Sequence, residues 1–297
     1  MDSRKNQIDL SVIIVSWNVK EILRRNLESL FARTGRDMAF EVFVVDNASS
    51  DRTAEMVAEY FQDVKLIANS ENLGFAKANN QALKLAQGRH ILLLNPDMEV
   101  KKGSLAQLVA WLDQHPEAGV ASCRLKDAAG NNIPHVRRFP RLFDQLMIAL
   151  KLPHLFPSIL DGYLQKDFDY SKEAAVDSVR GSFFAVNGKA FKDIGFLDER
   201  FFIWFEEVDY CRQAKAKNWR VMYTPEMECT DLVGQSFSQV KIGRTQSYFR
   251  ASMLAYFRKW HSLGEYLVLW LAWLPGLAFA RVFDVLRLKK GFGRVRT

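Results

Sequence analysis

The run Leu10–Ser16, LSVIIVS, decides the fold. It is continuous, apolar and rich in β-branched residues, the pattern of a strand buried on both faces of a parallel sheet. Outward from it, Lys20–Phe31 places Ile22, Leu23, Leu27, Leu30 and Phe31 at helical spacing, and Glu41–Val45 (EVFVV) is a second buried strand. Ser50 or Asp51 is a candidate cap for a helix over Thr53–Phe61. Val64–Ala68 reads as a third strand, Ala-rich Phe75–Ala86 as a helix stopped by Gly88, and His90–Leu94 (HILLL) as a fourth strand broken by Asn95-Pro96. Ser104–Gln114 is a helix and Gly119–Cys123 a further strand. Strands alternating with helices of this length predict an α/β chain with βαβ units and a mostly parallel, helix-flanked sheet. Ligands of such sheets sit at the carboxyl ends of the strands. The polar residues cluster there: Ser16-Trp17-Asn18, Asp46-Asn47 and Asn95-Pro96-Asp97.

Downstream the pattern changes. Asp127–Tyr170 holds four of the eight prolines without a clear period, so a long loop or lid is expected. Ser178–Asn187 (SVRGSFFAVN) returns to strand-like residues, Glu206–Lys217 reads as a helix and Arg220–Tyr223 as a strand.

The chain has 297 residues, 48% hydrophobic and 25% charged, which excludes bulk disorder and allows one large domain or two small ones. Its three cysteines, Cys123, Cys211 and Cys229, are widely spaced. That excludes a disulfide scaffold and a zinc module and suggests a reducing compartment. Met1–Asp9 is polar and Leu10–Val15 too short for a signal-peptide core, so secretion is not expected. The net charge of +7 is unevenly spread: residues 241–297 carry 11 Lys and Arg against 2 Asp and Glu, the rest 30 against 32. A near-neutral body with a basic, apolar tail argues against nucleic acid as a partner and for an anionic membrane surface.

Asp46 follows VFVV directly, and Asp97 follows HILLLNP in the same way. A carboxylate at a strand end accepts a hydrogen bond from a base or ribose, holds a divalent cation, or caps a helix. In order along the chain stand SVIIVSWN, VVDNASSD, NLGFAKANN, LLLNPD, RGSFFAVN and GFLDERFFIWFEEVDYCRQ. Together they resemble the family 2 glycosyltransferases, most closely the bacterial rhamnosyltransferase-like branch with the GT-A fold, from about Leu10 to about Ser236.

The resemblance implies inverting transfer of a sugar, rhamnose from dTDP-rhamnose in this branch, from a nucleotide-diphosphate donor to a saccharide hydroxyl in cell-surface polysaccharide synthesis. UDP-sugars are the alternative donors. By position, Asp46 corresponds to the carboxylate that hydrogen-bonds the donor pyrimidine, with Ser16, Trp17 and Asn18 beside it. Asn72, Gly74 and Asn79 match the segment that closes over the donor, and Lys77 lies close enough to meet a phosphate. Asp97 matches the last acid of the metal-binding element, whose first acid is here Asn95. The cation implied is Mg²⁺ or Mn²⁺. The acid pair Glu206-Glu207 matches the family's two-acid element, whose second member, Glu207, is the catalytic base. Glu206, Asp209, Trp204 and Arg180 are the acceptor-binding candidates, and Gly181 gives close backbone approach on the donor side.

Where the family often has His-x-x-Gly-x-Ser, this chain has Asp231-Leu-Val-Gly-Gln-Ser, so Asp231 is expected as a metal ligand; the other reading is a weakened metal site. The five histidines scatter and are expected to be structural or exposed. The resemblance divides the chain into a catalytic domain over 1–240, with a nucleotide-sugar half to about 125 and an acceptor half beyond it, and a membrane-association region over 241–297.

In that tail, Tyr266–Ala280 is a 15-residue uncharged run interrupted by Pro275-Gly276. As a helix it measures about 22 Å against a hydrocarbon core of about 30 Å. A helical hairpin lying on or dipping into one leaflet fits length, charge and the tryptophans Trp260, Trp270 and Trp273. This predicts the cytoplasmic face of the inner membrane and a polyprenyl-diphosphate-linked acceptor. The competing reading is a helix pair packed on the catalytic domain or in a homo-oligomer interface. A nucleotidyltransferase or a nicotinamide dehydrogenase would need a Gly-rich loop after the first strand, and Trp17-Asn18-Val19 is not one. A non-catalytic membrane scaffold is kept open by Asn95, Glu207 and Asp231.

Overall fold

The computed structural model describes residues 7–34, 38–101, 103–232 and 242–274. The first half alternates β1 (Leu10–Ser16), α1 (Lys20–Arg33), β2 (Phe40–Asp46), α2 (Thr53–Tyr60), β3 (Val64–Ala68), α3 (Phe75–Leu83), β4 (His90–Leu94), β5 (Met98–Val100), α4 (Ser104–Gln114) and β6 (Ala118–Lys126). The second half contains β7 (Val136–Arg137), α5 (Leu142–Ala149), α6 (Asp161–Leu164), β8 (Ala174–Ala175), β9 (Ser178–Val179), β10 (Phe183–Asn187), α7 (Gly188–Ile194), α8 (Glu206–Ala216), β11 (Arg220–Asp231) and α9 (Ile242–Trp260). A further helical stretch covers 263–274.

The nine-stranded sheet has the order β3-β2-β1-β4-β10-β6-β11-β5, with β8 also on β11. β1 to β4, β6 and β11 run one way; β10, β5 and β8 run against them. The sheet is thus mostly parallel, as expected, but SVRGSFFAVN is not one strand. It divides at Arg180–Ser182 into β9, paired with β7, and β10, inserted antiparallel between β4 and β6. The apolar character of Phe183–Val186 is that of any central strand. Its direction is set by the excursion after β6, which brings the chain back to the rim it left from. The excursion itself is structured, through α5, α6 and β7.

Side chains alternate across the strands and divide the core in two. Leu10, Val12 and Ile14 of β1 face Leu23, Leu27 and Leu30 of α1, Met56 and Val57 of α2, and Leu108 and Trp111 of α4. Ile13 faces Ala76, Ala78 and Ala82 of α3 and Tyr210, Cys211 and Ala214 of α8. A third cluster joins Phe201, Phe205 and Val208 to Met253, Tyr256 and Phe257 of α9 and to Leu269 and Trp273.

Candidate active site

The strand register brings the polar strand ends to one rim. Ser16 closes β1 opposite Asp46 at the end of β2. Leu94 of β4 pairs with Phe183 at the start of β10, which places Asn95 beside Ser182; the Asn95 N–H donates to the Ser182 carbonyl at 2.9 Å. At the far side Met98 pairs with Asp231, and the Leu232 N–H donates to the Asp97 carbonyl at 2.9 Å. Asp97 and Asp231, 134 residues apart in the chain, are therefore neighbours on this rim. Both are buried, at 8% and 1% exposure.

At the other end of the rim, Asp46 Oδ2 accepts from the Ser49 N–H at 3.1 Å. Asp46 Oδ1 and Ser16 Oγ are buried with no hydrogen-bond partner. An unpaired buried polar atom costs about 1–3 kcal/mol, so two adjacent ones suit a site that a ligand's donors complete. Trp17 is half-buried beside them. Asn18, in the left-handed region at φ +53°, has its side chain committed elsewhere: its Oδ1 accepts from the Ser50 N–H at 2.7 Å, and its own N–H donates to Ser49 Oγ at 2.8 Å. Its role is to weld the loops after β1 and β2 together. The N-cap residue of α2 is Arg52, not Ser50 or Asp51, but the Asp51 carboxylate accepts the first N–H of two helices, those of Thr53 (3.2 Å) and Lys20 (2.9 Å).

The segment matched to donor closure is anchored on the opposite half of the molecule. Asn72 Oδ1 accepts the Gly74 N–H at 3.0 Å, and the Phe75 N–H donates to the Phe202 carbonyl at 2.6 Å. Gly74 has φ +81°, and a Cβ there would lie 2.4 Å from the Phe202 carbonyl oxygen. Only glycine allows this crossing. Asn79 is buried, donates to the Phe75 carbonyl at 2.9 Å and keeps its Oδ1 unpaired, while Lys77 is exposed.

Glu206 and Glu207 begin α8 after two consecutive left-handed residues, Trp204 (φ +64°) and Phe205 (φ +69°). Such residues cost of order 1–3 kcal/mol each and persist where packing over-determines them. Here the packing is Phe249 of α9, which meets both rings edge-on, so Trp204 faces α9 and is not a free stacking platform. Gly181 lies against Glu207, with an added Cβ 3.6 Å from the Glu207 Cβ. One residue earlier, Arg180 Nη1 contacts Asp231 Oδ2 at 3.2 Å. A continuous path thus runs from Asp97 through Asp231, Arg180 and Gly181 to Glu207.

Glu206 Oε2 and Glu207 Oε2 are buried without hydrogen-bond partners. Burial pushes both carboxyls above the ordinary range, Glu206 well above it with its neighbour's charge adding to the rise. For Glu207 the charges of Arg137 and Arg180 pull the other way. A carboxyl whose folded pKa exceeds its unfolded value stabilises the fold fully below the unfolded pKa, the ordinary glutamate value of about 4.5, and loses that contribution as pH rises through the folded value. Thermal melts of Glu206→Gln should therefore show a Tm above wild type at about pH 8, with the gap closing toward about pH 4. A constant gap would mean that Glu206 is not the titrating group.

Asp209 leaves the acceptor set. It is fully buried, with Oδ2 taken by Lys259 Nζ (2.7 Å) and Gln213 Nε2 (2.8 Å) and Oδ1 by Trp260 Nε1 (2.6 Å). It fastens α8 to α9. Arg180 is likewise engaged, on Asp231. Sequence reasoning missed Arg137, whose charge acts on Glu207, and Tyr163, a buried hydroxyl within electrostatic reach of both. It also missed buried Ser182, whose Oγ is unpaired, and Asn80, which ties α3 to Leu197 and Glu199. His135 is buried and depressed to about 4, chiefly by burial, so it is neutral at pH 7. No cluster of three or more His, Cys, Asp or Glu suited to a metal occurs among the described residues.

A mostly parallel α/β sheet with an acidic rim and a facing acid pair is the GT-A arrangement. Residues 11–172 match the family model described as Glycosyl transferase family 2, and the chain belongs to that family. It is a glycosyltransferase. It is 28% identical over 232 residues to the N-acetylglucosaminyl-diphospho-decaprenol L-rhamnosyltransferase of Mycobacterium tuberculosis, covering 74% of each chain. It is 26% identical over 222 residues to the rhamnosyltransferase WbbL of Escherichia coli, covering 72% of this chain and 80% of that one. Among solved structures, the mannosyltransferase PcManGT from Pyrobaculum calidifontis in complex with GDP-Man and Mn²⁺ superposes with a TM-score of 0.59 at 20% identity, over 98% of this chain and 77% of that one. TarS of Staphylococcus aureus with UDP-GlcNAc gives 0.56 at 20% identity, over 84% and 67%.

Proposed function

We propose that this chain transfers a sugar, rhamnose from dTDP-rhamnose, to a hydroxyl of a polyprenyl-diphosphate-linked saccharide with inversion at the anomeric carbon, at the cytoplasmic face of the bacterial cell membrane. The observation that carries the reading is the chain of contacts from Asp97 through Asp231, Arg180 and Gly181 to Glu207, which supports one site for the acids suited to a diphosphate and the acid suited to a proton. The names of the rhamnosyltransferase relatives support rhamnose as the transferred sugar, and that of the mycobacterial one supports a polyprenyl-diphosphate-linked acceptor.

In this reading Asp46 Oδ1 and Ser16 Oγ receive donors of the nucleotide base, being the unpaired buried atoms at that end of the rim. Glu207 takes the proton of the acceptor hydroxyl. Burial raises its pKa, which strengthens it as a base, and the charges of Arg137 and Arg180 favour its ionised form. Mg²⁺ commonly binds through one or two carboxylates plus substrate phosphates rather than an all-protein cage. Asp97 and Asp231 offer two carboxylates, which fits Mg²⁺ or Mn²⁺ arriving with the donor; they would hold it. Such a cation offsets the charge that develops on the departing diphosphate. Arg180, already on Asp231, adds a fixed positive charge on the same side.

Thermal-shift titration of dTDP-rhamnose beside UDP-sugars, with and without Mn²⁺, tests this. At about 100 times its Kd a true donor stabilises by about 2.7 kcal/mol. The expected result is a shift with dTDP-rhamnose that needs Mn²⁺ and disappears in Asp97→Asn. A shift only with a UDP-sugar overturns the donor assignment; a full shift in EDTA overturns the cation site.

A further inference from the structure

We propose that the chain docks on an anionic lipid bilayer through one apolar face built jointly from residues 142–156 and the helix 263–274. Most of the large apolar side chains exposed among the described residues fall in these two stretches. Leu150, Leu155 and Phe156 stand out at 47%, 72% and 57% exposure from the first; Leu263, Leu267, Trp270 and Leu271 at 57%, 47%, 40% and 56% from the second. The stretches are far apart in sequence but packed together. Leu146 and Ala149 of α5 share a buried cluster with Leu269 and Trp273, and Lys151 Nζ sits 5.4 Å above the Trp273 ring.

The helix 263–274 buries Leu269 and Trp273 against the body and turns Leu263, Leu267, Trp270 and Leu271 outward. Its one charged side chain, Glu265, accepts from the Ser262 N–H (3.1 Å) and hydroxyl (3.0 Å). A helix that is apolar all round is covered all round, and a contiguous exposed apolar patch marks a contact surface. Its 12 residues rise about 18 Å, short of a hydrocarbon core of about 30 Å. No helix among the described residues is long and apolar enough to cross a membrane. A short apolar helix bearing an outward tryptophan belongs in the plane of the interface.

Charge selects the occupant. Lys151 and Arg258 flank the face, the latter 5.7 Å from the Tyr266 ring. Over 142–156 and 242–274 the described residues carry five Lys and Arg against two Asp and Glu. A second copy would set this positive charge against itself, whereas anionic headgroups complement it. Tyr163 of α6, which follows the first stretch in the chain, lies within electrostatic reach of Glu207. An acceptor anchored in the same bilayer would reach Glu207 from that side. This last point rests on the transfer reading; the docking does not.

Co-sedimentation with phosphatidylcholine vesicles, with and without about 30% phosphatidylglycerol and in the absence of nucleotide sugar, tests the docking. Wild type should partition onto the anionic vesicles and be released by high salt. Leu155→Glu/Phe156→Glu and, separately, Leu267→Glu/Leu271→Glu should each lower the partition coefficient by roughly tenfold or more. Should a double variant melt early, quenching of tryptophan fluorescence by brominated lipid, compared between wild type and Trp270→Phe, reads the same face; equal quenching overturns it. Wild type left in the supernatant, a Leu155→Glu/Phe156→Glu variant that binds normally, or a dimer by light scattering that these variants dissolve would each overturn it too. Glu207→Gln should bind vesicles as wild type does, so loss of transfer and loss of docking are read separately.

Discussion

Glu207→Gln is expected to lower turnover by about 10²–10⁴-fold, the usual contribution of a general base, while donor binding persists. Glutamine keeps the size of the side chain and its place against Gly181 and α8, and it removes only the ability to accept a proton. The Glu207 carboxyl is raised by burial, so turnover in wild type should climb through a pH above the ordinary carboxylate range, and this limb should vanish in the variant. The two readouts together separate proton transfer from positioning. Single-turnover rates with excess donor, measured across pH beside the donor's Kd, decide it. A variant that loses donor affinity but keeps its rate when saturated would show that Glu207 binds rather than reacts. Glu206→Gln serves as the contrast, since its carboxyl is raised more strongly and does not pack on Gly181.

The second large effect falls on stability. Asp209→Ala should cost about 3–5 kcal/mol, because removing one partner of a buried charged pair leaves the other uncompensated. The lower end is expected: Lys259 keeps Asp198 at 3.0 Å and is 22% exposed, so its charge is not stranded. Trp260 Nε1 and Gln213 Nε2 lose their acceptor as well. Urea denaturation should move to a lower midpoint with an unchanged slope. Activity per folded molecule and the KM for acceptor should hold. A raised acceptor KM with unaltered stability would restore Asp209 to the acceptor site.

Asp209 shows why part of the site was hidden. In the sequence it stands three residues after Glu206 on one helix, and that spacing implies a shared face and a shared task. The partners that withdraw it, Lys259 and Trp260, lie 50 and 51 residues on. Arg180 was singled out for its charge, but its engagement with Asp231 depends on where β9 and β11 end. Tyr163 and Arg137 carry no local signal, since they lie in an excursion without period. The strand-end acids were readable because their message is local: an apolar run that halts at a carboxylate puts that carboxylate on a rim in almost any α/β sheet.

The amino-acid order alone was enough for β1 to β4, for the helices between them and for a polar rim at their carboxyl ends. Those features follow from periodicity and chain direction over a dozen residues at a time. The antiparallel insertion of β10, the meeting of Asp97 with Asp231, the withdrawal of Asp209 and the unpaired burial of Glu206 and Glu207 came from the folded chain. Each depends on which distant group displaces water from a given atom. Burial and pairing are properties of the surroundings, and no residue carries its surroundings in its own neighbourhood of sequence.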